Sequence, residues 1–489
     1  MKNILVILFL LSITGCKGQQ KMGSSNNLAI KLVTLDPGHF HAALVQKTMY
    51  NGVDPVVHVY APEGPDVKLH LERINAYNNR TENPTKWKEE VYTGNDFMEK
   101  MLSEKKARLP ARAGTDGNDA RLYDKVGQAV GQGNEVVVMA GNNRKKTEYI
   151  LKAIEARYHV LADKPMAIDK QNFEVLKTAF ATAKKNNVLL YDIMTERYEI
   201  TTMLQRELSF LPEIFGQLEK GTVENPAVTK ESVHHFYKYV SGSILTRPPW
   251  FMDVTQEGEG IVDVTTHLVD LIQWECFPEQ VIDYKKDIQL LAARRWHTDM
   301  TLSQFNAVTK LNGFPGYLKK NVVNDTVLKI YSNGEINYQL RGIHAKVSVT
   351  WAYKAPEGAG DTHYSIMRGT KSNLVIRQGA DQKYKPALYI EPVNKEDASF
   401  ENILMKNIKS LQTKYPGLEL KKTPSGWEVI IPEKYKEGHE AHFARVTEKF
   451  LQYFKEGSLP AWEVPNMIAK YYTTTSALEL ASKTAGATY

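Results

Sequence analysis

The sequence predicts an α/β protein: a doubly wound parallel sheet comes first, and an α+β domain with a largely antiparallel open sheet follows. Two patterns carry this prediction. Up to about residue 200, short strand-like apolar runs alternate with stretches of helical periodicity, which indicates a parallel sheet with helices on both faces. From about residue 211, strand-like runs follow one another with few helices between them, which favours antiparallel pairing.

The composition is ordinary for a globular chain and excludes several classes of protein. The chain has 489 residues, of which 42% are hydrophobic and 24% charged, so a large core can form. The net charge of +6 is spread over the whole length without a long basic run, which argues against nucleic acid as a partner. Two cysteines, Cys16 and Cys276, are too few for a disulfide framework.

Residues 1–15 are predicted to be a signal peptide. Lys2 precedes an apolar run over residues 4–13, shorter than the ~20 residues that span a bilayer. The run ends in Ile-Thr-Gly-Cys16, which looks like a lipoprotein processing site with Cys16 as the lipidated residue. Residues 16–27 are polar and are expected to form a flexible tether. We therefore expect a lipid-anchored protein of the cell envelope, on the periplasmic side or at the outer membrane, with no other membrane contact.

Residues 28–200 are assigned to the first domain and residues 201–489 to the second, which ends in helices. Part of the first domain, about residues 64–130, is interpreted as an insertion because the step between two of its strands is too long for one connection. In the first domain, strands are expected at 29–35, 56–60, 135–140, 159–162 and 188–191, and helices at 41–49, 145–156 and 172–185. In the second, strands are expected at 233–239, 300–310, 326–331, 345–352, 364–368 and 373–377.

The first predicted strand leads into a turn, DPGHFH at residues 36–41. A dinucleotide-binding domain has its glycine-rich turn there, and the backbone N–H groups of that turn receive the pyrophosphate. Only Gly38 matches a glycine of G-x-G-x-x-G, while Asp36 and His41 replace the other two. Two readings stay open: a phosphate site in which His39 or His41 offsets the charge of Asp36, and a capped turn. No metal is predicted at the two histidines, because no further ligand lies at a suitable spacing.

Two more motifs carry polar residues that suit catalysis. Asp163, Lys164 and a proline end the fourth strand, where open α/β sheets face their ligand. Burial there is expected to lower the pKa of Lys164 and allow proton exchange with a hydroxyl, although a surface lysine before a helix fits the motif alone. Asp263, His267 and Asp270 share one face of an otherwise apolar helix. Because burying them unpaired is costly, we favour a site over a structural polar network.

A third group lies upstream of that helix. His235, Arg247 and Trp250 flank a Gly/Ser turn. An aromatic ring with polar neighbours suits a sugar, whose apolar face stacks while its hydroxyls form hydrogen bonds. A tryptophan that only anchors the loop by packing is the alternative.

In their order and spacing these motifs resemble the Gfo/Idh/MocA family of oxidoreductases over nearly the whole mature chain. The turn DPGHFHAAL and the segment WEVPNM at 462–467 further resemble a Bacteroidetes-type lipoprotein branch with its own C-terminal oxidoreductase domain. The resemblance implies a Rossmann-like first domain and NAD or NADP as the cofactor. Export from the cytoplasm, outside which free nicotinamide is not readily exchanged, implies that the cofactor is tightly bound. The resemblance also implies catalytic roles for Lys164, Asp263 and His267, and a nicotinamide-ribose contact for Asn143. The other residues predicted to contact the cofactor are Asp36, Gly38, His39, His41 and Asp163. Those predicted to contact the substrate are His235, Arg247, Trp250 and Asp270.

The sequence departs from the family pattern at the cofactor. Two glycines of the turn are missing, and Lys146 replaces a histidine often found after Asn143. No acidic residue ends the second strand to hold the adenosine ribose, so Glu63 or Asp66 is left for that contact.

The expected function is NAD(P)-dependent hydride transfer at a secondary alcohol of a sugar or glycoside. Two alternatives remain open. One is a redox-neutral, NAD-dependent glycosidase or lyase that oxidises, eliminates and then returns the hydride, which would suit a protein outside the cytoplasm. The other is a catalytically inactive sugar-binding lipoprotein on the same fold. The open sheet of the second domain allows a homo-oligomer.

Overall fold

The computed structural model describes residues 29–108, 133–240, 243–357 and 359–485. The predicted signal peptide, the predicted lipidation site Cys16 and the tether lie outside the described residues, as do residues 109–130 of the predicted insertion. Within the described ranges, no helix combines the length and the hydropathy needed to cross a membrane.

A parallel sheet organises the first part of the chain. Its strands are β1 (Lys31–Leu35), β2 (Val56–Ala61), β3 (Lys88–Thr93), β4 (Glu135–Met139), β5 (His159–Asp163) and β6 (Leu190–Ile193). They lie in the order β3-β2-β1-β4-β5-β6, and every neighbouring pair is parallel. The predicted doubly wound sheet is therefore confirmed. Its strand order reverses between β1 and β4, the position at which such sheets form a ligand crevice.

Helices connect these strands on both faces. They are α1 (His41–Val45), α2 (Pro65–Asn79), α3 (Phe97–Arg108), α4 (Asn143–Glu155) and α5 (Lys170–Asn186). The side chains of Asn142 and Asp169 accept backbone hydrogen bonds at the starts of α4 and α5, which is the usual way to satisfy a helix N-terminus. α1 ends at Val45, well before the predicted end at residue 49.

Most of the stretch interpreted as an insertion belongs to this sheet. β3 pairs in parallel with β2 over its whole length, and α2 and α3 flank it. The prediction of an insertion was therefore wrong for residues 65–108. The reason is the edge position of β3, whose sequence KEEVYT is partly exposed and lacks the apolar run of an inner strand.

A second, larger sheet follows. Its strands are β7 (Val228–Tyr237), β10 (Ile288–Thr301), β11 (Val322–Val323), β12 (Val327–Leu340), β13 (Ile343–Lys354), β14 (Thr362–Arg368), β15 (Ser372–Arg377), β16 (Ala387–Pro392), β17 (Glu419–Thr423) and β18 (Gly426–Ile430), while β8 (Tyr239–Val240) and β9 (Ser243–Ile244) form a separate small hairpin. The order is β10-β12-β13-β7-β14-β15-β16-β18-β17, with β11 beside β12. Only β7 and β13 pair in parallel within it, so the largely antiparallel sheet is confirmed.

One predicted strand of this part is mostly a helix. Residues 300–310 are predicted to form a strand, but β10 ends at Thr301 and a helix, α9 (Leu302–Thr309), follows directly. Thr301 accepts a hydrogen bond from the backbone of Gln304, and the Gln304 side chain accepts one from the backbone of Thr301. This reciprocal capping box starts a helix.

The C-terminal helices contribute to both parts of the protein. The remaining helices are α6 (Ile200–Ser209), α7 (Val254–Glu257), α8 (Thr265–Cys276), α9 (Leu302–Thr309), α10 (Phe400–Leu411), α11 (His439–Glu456) and α12 (Glu463–Ala485). Phe443 and Phe450 of α11 lie in the core of the parallel sheet. α12 adds Tyr471 to that core and Ala477 to the core of the second sheet. Helices assigned to the second domain by sequence therefore also complete the first.

Candidate active site

A cavity of about 1620 Å³ lies at the carboxyl ends of the parallel strands. Gly141 lines it just after β4, and Asp163 and Lys164 line it at the end of β5. The second sheet closes the other side, where His234 of β7 and Trp351 of β13 face the cavity. The predicted catalytic residues and most of the predicted cofactor residues thus meet at the crevice that the strand order predicts, whereas Asp36 and Gly38 do not line this cavity.

Lys164 and Asp263 form a buried ion pair in this cavity. The Lys164 ammonium donates to the Asp263 carboxylate, and the two side chains are 11% and 6% exposed. Burial by itself lowers the pKa of Lys164, but the charges of Asp263 and Asp163 outweigh it and raise the pKa above its ordinary value. The expectation of a lowered pKa was therefore wrong, because it left out the carboxylates. Lys164 is a cation at neutral pH.

His267 provides a neutral group beside this pair. It lies in the first turn of α8 and lines the cavity. Burial, reinforced by the positive charge of Lys164, lowers the pKa of His267 to about 4. Its Nδ1 atom is buried without a hydrogen-bond partner among the described residues. At neutral pH the imidazole is therefore uncharged and able to accept a proton.

His39 and His41 converge on Asp163 from the turn after β1. The His41 Nδ1 atom lies 2.8 Å from Asp163 Oδ2, and the His39 Nδ1 atom lies 3.8 Å from the same oxygen. Burial holds the pKa of both histidines well below the ordinary value. The three residues predicted as cofactor contacts therefore form one compact cluster on the wall of the cavity.

The backbone of the first turn is occupied by internal contacts. Gly38 N–H donates to the carbonyl of Asp36 at 2.8 Å, and His39 N–H donates to the carbonyl of Ala140 at 2.9 Å. Burial, with a smaller contribution from Asp66, raises the pKa of Asp36 to about 6. These two N–H groups are thus not directed at a ligand, as they would be in a pyrophosphate-binding turn.

Trp250 covers the same turn. Its indole N–H donates to Asp66 at 2.8 Å, and a Cβ atom added to Gly38 would lie 2.9 Å from the indole ring. Trp250 therefore packs on Gly38 outside the large cavity, whereas the sequence placed it at the substrate. Asp66, one of two candidates for the adenosine ribose, is used by this contact.

A buried polar network surrounds Asn143, the residue to which the resemblance assigns a nicotinamide-ribose contact. The Asn143 amide donates to the backbone carbonyl of Glu257 at 2.6 Å, and Lys146 donates to Asn143 and, at 3.1 Å, to the carbonyl of Asp163. Burial and the neighbouring Asp263 raise the pKa of Glu257 well above its ordinary value. Sequence reasoning missed Glu257, because its burial depends on a contact with a segment 114 residues away.

The predicted substrate residues are only partly brought together. Arg247 lines the cavity, and its guanidinium lies 4.4 Å from the ring centre of Phe251. His235 does not line it; its neighbour His234 does, because successive side chains of a strand point to opposite faces. Both histidines contact Asp361, which also lines the cavity. Burial alone would raise the pKa of Asp361, but His234, His235 and Lys238 outweigh it and hold the pKa far below its ordinary value.

Asp270 belongs to a structural ion network away from the cavity lining. Both of its oxygens accept hydrogen bonds from Arg197 at 2.7 Å. Lys470 bridges Asp270 and Asp192 at 2.8 and 2.7 Å, and Glu463 pairs with the other side of Arg197 at 3.0 Å. These side chains tie β6, α8 and α12 together. The prediction of a substrate contact at Asp270 was wrong, since its helix face turns towards α12.

Comparisons with known proteins agree with this architecture. A family model described as "Oxidoreductase family, NAD-binding Rossmann fold" matches residues 97–192, and one described as "Putative oxidoreductase C terminal domain" matches residues 204–482. No curated protein matches the chain.

Solved structures extend the comparison. The crystal structure of a "putative oxidoreductase" from Parabacteroides merdae is 55% identical, with 94% of this chain and 98% of that chain covered and a TM-score of 0.85. A "putative oxidoreductase" structure from Thermotoga maritima is 14% identical, with 93% and 98% covered and a TM-score of 0.55. A levoglucosan dehydrogenase in complex with NADH and levoglucosan is 11% identical, with 93% and 97% covered and a TM-score of 0.54. The last two share the fold.

The C-terminal family model spans more than half of the chain, and the Parabacteroides merdae relative matches it almost end to end. The NAD-binding model matches the second half of the parallel sheet, from α3 through β4 and β5 into β6, and the C-terminal model covers the antiparallel sheet. The chain therefore belongs to the Gfo/Idh/MocA family of NAD-binding oxidoreductases, in the branch that carries this C-terminal domain.

Proposed function

We propose that the chain is a nicotinamide-dependent oxidoreductase that transfers a hydride at a secondary alcohol of a sugar or glycoside held in the cavity. The observation that carries the proposal is the convergence of the Lys164–Asp263 ion pair and the neutral His267 on one cavity wall. The fold shared with a levoglucosan dehydrogenase that binds NADH and a sugar supports the same class of substrate.

The nicotinamide end of the cavity suits the cofactor. Gly141 lies on its wall, and a Cβ atom there would come within 1.9 Å of the carbonyl oxygen of Asp36, so only glycine lets the turns after β1 and β4 approach this closely. Asn143 and Lys164 line the same wall and would hold the nicotinamide-ribose portion. When bound, the cofactor supplies the hydride acceptor.

The residues of the chain divide the acid–base work between them. In the oxidation direction, the uncharged imidazole of His267 accepts the proton of the reacting hydroxyl. The Lys164 ammonium donates a hydrogen bond to that oxygen and stabilises its negative charge. Asp263 keeps Lys164 charged and oriented. In the reduction direction the proton returns from His267 to the oxygen.

The turn after β1, where the pyrophosphate of a dinucleotide would bind, is less accessible than the nicotinamide end, because Trp250 and Asp66 cover Gly38. A full dinucleotide can reach the turn only when Trp250 moves. This contact favours a second candidate, a cofactor-free sugar-binding protein on the same fold. It also suits the redox-neutral glycosidase or lyase, in which a retained cofactor would never leave.

Mass spectrometry of the gently denatured protein separates these functions, since released NAD or NADP supports the proposal. A protein without dinucleotide that binds sugar, yet neither nicotinamide by calorimetry, would favour the cofactor-free candidate. Where dinucleotide is found, product analysis decides between the two enzymes. A ketosugar indicates a dehydrogenase, and a cleaved glycoside without net change in nicotinamide absorbance indicates the lyase.

Replacing Trp250 tests whether its indole controls access to the turn. We expect Trp250→Ala to bind NAD(H) about tenfold more tightly, because the lost packing and hydrogen bond to Asp66 no longer compete, and tenfold corresponds to about 1.4 kcal/mol. Calorimetry with NADH measures the change. Trp296→Ala, on β10, should leave the affinity unchanged. Equal or weaker binding by Trp250→Ala would contradict a covering role.

A further inference from the structure

The cluster of His39, His41 and Asp163 has the composition of a metal site. One ligand atom from each residue lies within 4.8 Å of the other two. Ligands of one transition-metal ion, each at about 2.0–2.2 Å, lie roughly 3–3.5 Å apart. The measured His41–Asp163 and His39–Asp163 separations of 2.8 and 3.8 Å fall on either side of that spacing. Small side-chain rotations would bring all three onto one ion.

This arrangement has no recognisable sequence pattern, because the two histidines are two residues apart and the carboxylate belongs to β5, 122 residues after His41. In the fold, the turn after β1 and the end of β5 meet at the carboxyl edge of the sheet. Side-chain exposures of 16%, 10% and 6% for His39, His41 and Asp163 show that the protein has enclosed them together.

An unpartnered atom gives an independent indication of a ligand. The Nδ1 atom of His39 is buried and has no hydrogen-bond partner among the described residues. Buried polar atoms are nearly always satisfied, and each exception calls for an explanation such as an unseen ion. Here the atom lies 3.8 Å from Asp163 Oδ2, too far for a hydrogen bond. An ion between the two side chains would satisfy it.

Neighbouring cations leave the Asp163 carboxylate available. Lys164 follows it in the chain, but its ammonium is paired with Asp263. Lys146 donates to the backbone carbonyl of Asp163 rather than to its side chain. The aromatic ring of Phe443 lies 4.6 Å from that of His41 and restricts its orientation. The ligand set is therefore two imidazoles and one carboxylate on a fixed frame.

We propose that His39, His41 and Asp163 bind one divalent transition-metal ion, of the zinc, iron or manganese class, whose open positions face the cavity and take an oxygen of the bound substrate. Imidazole ligands favour these metals over magnesium and calcium, and two histidines with one carboxylate leave coordination positions free. The ion would lie on the same cavity wall as Lys164 and His267. The three residues are thereby reassigned from the dinucleotide to a metal.

Metal binding by the cluster does not rest on the proposed function, whereas the contact with a substrate oxygen does, and the test therefore uses the metal alone. The full-length protein is stripped with a chelator and titrated with Zn²⁺ or Mn²⁺ by calorimetry, without nucleotide or sugar. We expect one equivalent to bind. His41→Gln and Asp163→Asn should each weaken binding by more than the ~10–100-fold that loss of an outer-shell partner costs. His363→Gln, which alters a cavity-lining histidine outside the cluster, should bind as the wild type does.

A second measurement covers variants that fold poorly. Because a ligand that binds only the folded state raises the melting temperature, added Zn²⁺ should stabilise the wild type and His363→Gln but not His39→Gln. Co²⁺ should give visible ligand-field bands with the wild type that His39→Gln abolishes. No binding by the wild type, or binding that all three ligand variants retain, would overturn the proposal and leave a His41–Asp163 hydrogen bond as the whole role of the cluster.

Discussion

Asp270→Ala is expected to destabilise the protein by about 3–5 kcal/mol, because Arg197 and Lys470 lose the three hydrogen bonds that they donate to this buried carboxylate. The substitution leaves Glu463 as the remaining partner of Arg197 and Asp192 as that of Lys470. Lys470 is fully buried and the Arg197 side chain is 10% exposed, so water cannot readily replace the lost hydrogen bonds. Chemical denaturation followed by circular dichroism measures the loss. Replacement of the exposed Asp381 by Ala should change stability by less than about 0.5 kcal/mol. A loss below 1 kcal/mol in Asp270→Ala would show that the network contributes little.

The same network predicts an acid limit to stability. Although burial alone raises the pKa of Asp270, Arg197 and Lys470 outweigh it and hold the pKa well below the ordinary value of 3.8. The folded carboxylate therefore stays charged at pH values where the unfolded one takes up a proton. Its contribution is fully present above about pH 4 and is lost as the pH falls further. In Asp270→Ala that part of the pH dependence should disappear.

Lys164→Met is expected to reduce turnover by roughly 10²–10⁴-fold, the range typical of a group that assists proton transfer or stabilises charge in the transition state. The effect should fall on kcat more than on KM, because the ammonium acts on the oxygen that becomes charged. Nicotinamide absorbance with a panel of hexopyranoses and methyl glycosides gives the measurement. Lys170→Met, at the start of α5, alters an exposed lysine and serves as the control. Unchanged turnover in Lys164→Met would remove this residue from the mechanism.

His267 sets the pH profile of the same reaction. Its pKa, lowered to about 4 by burial and by Lys164, means that the imidazole is neutral above that pH. Oxidation should therefore be insensitive to pH between about 5 and 8 and should decline towards pH 4. Lys164→Met removes one positive neighbour, so the acid limb should move to higher pH.

The sequence predicts the fold and the position of the proposed catalytic residues better than the residues on the substrate side of the cavity. Lys164 is placed by the rule that strand ends face the crevice, and His267 by its polar character in an apolar helix. His234 and His235 are adjacent, and only the direction of β7 decides which one faces the cavity. Helical spacing predicts that Asp270 and His267 lie on the same face of their helix. In the fold, Lys470 of α12, 200 residues later, forms a buried ion pair with Asp270 and so keeps it away from the cavity.

Long-range contacts explain the other differences as well. Trp250 and Asp66 are 184 residues apart, so their contact over Gly38 has no local pattern. The same holds for Glu257, which meets Asn143, and for Asp163, which joins two histidines of a distant turn. Local periodicity describes faces and ends of elements. It contains no information about which distant element packs against them.

Because α12 packs in the cores of both sheets, it affects the order in which the two parts of the protein can fold. The parallel sheet emerges from the ribosome first, yet its core stays open until Tyr471 has been made, and Ala477 of the same helix completes the other core. Neither part can reach its final packing ahead of the other. A chain that stops at residue 462 should therefore be cleaved by protease in both parts, whereas the full chain should resist. Maturation would then be a single late event rather than two successive ones.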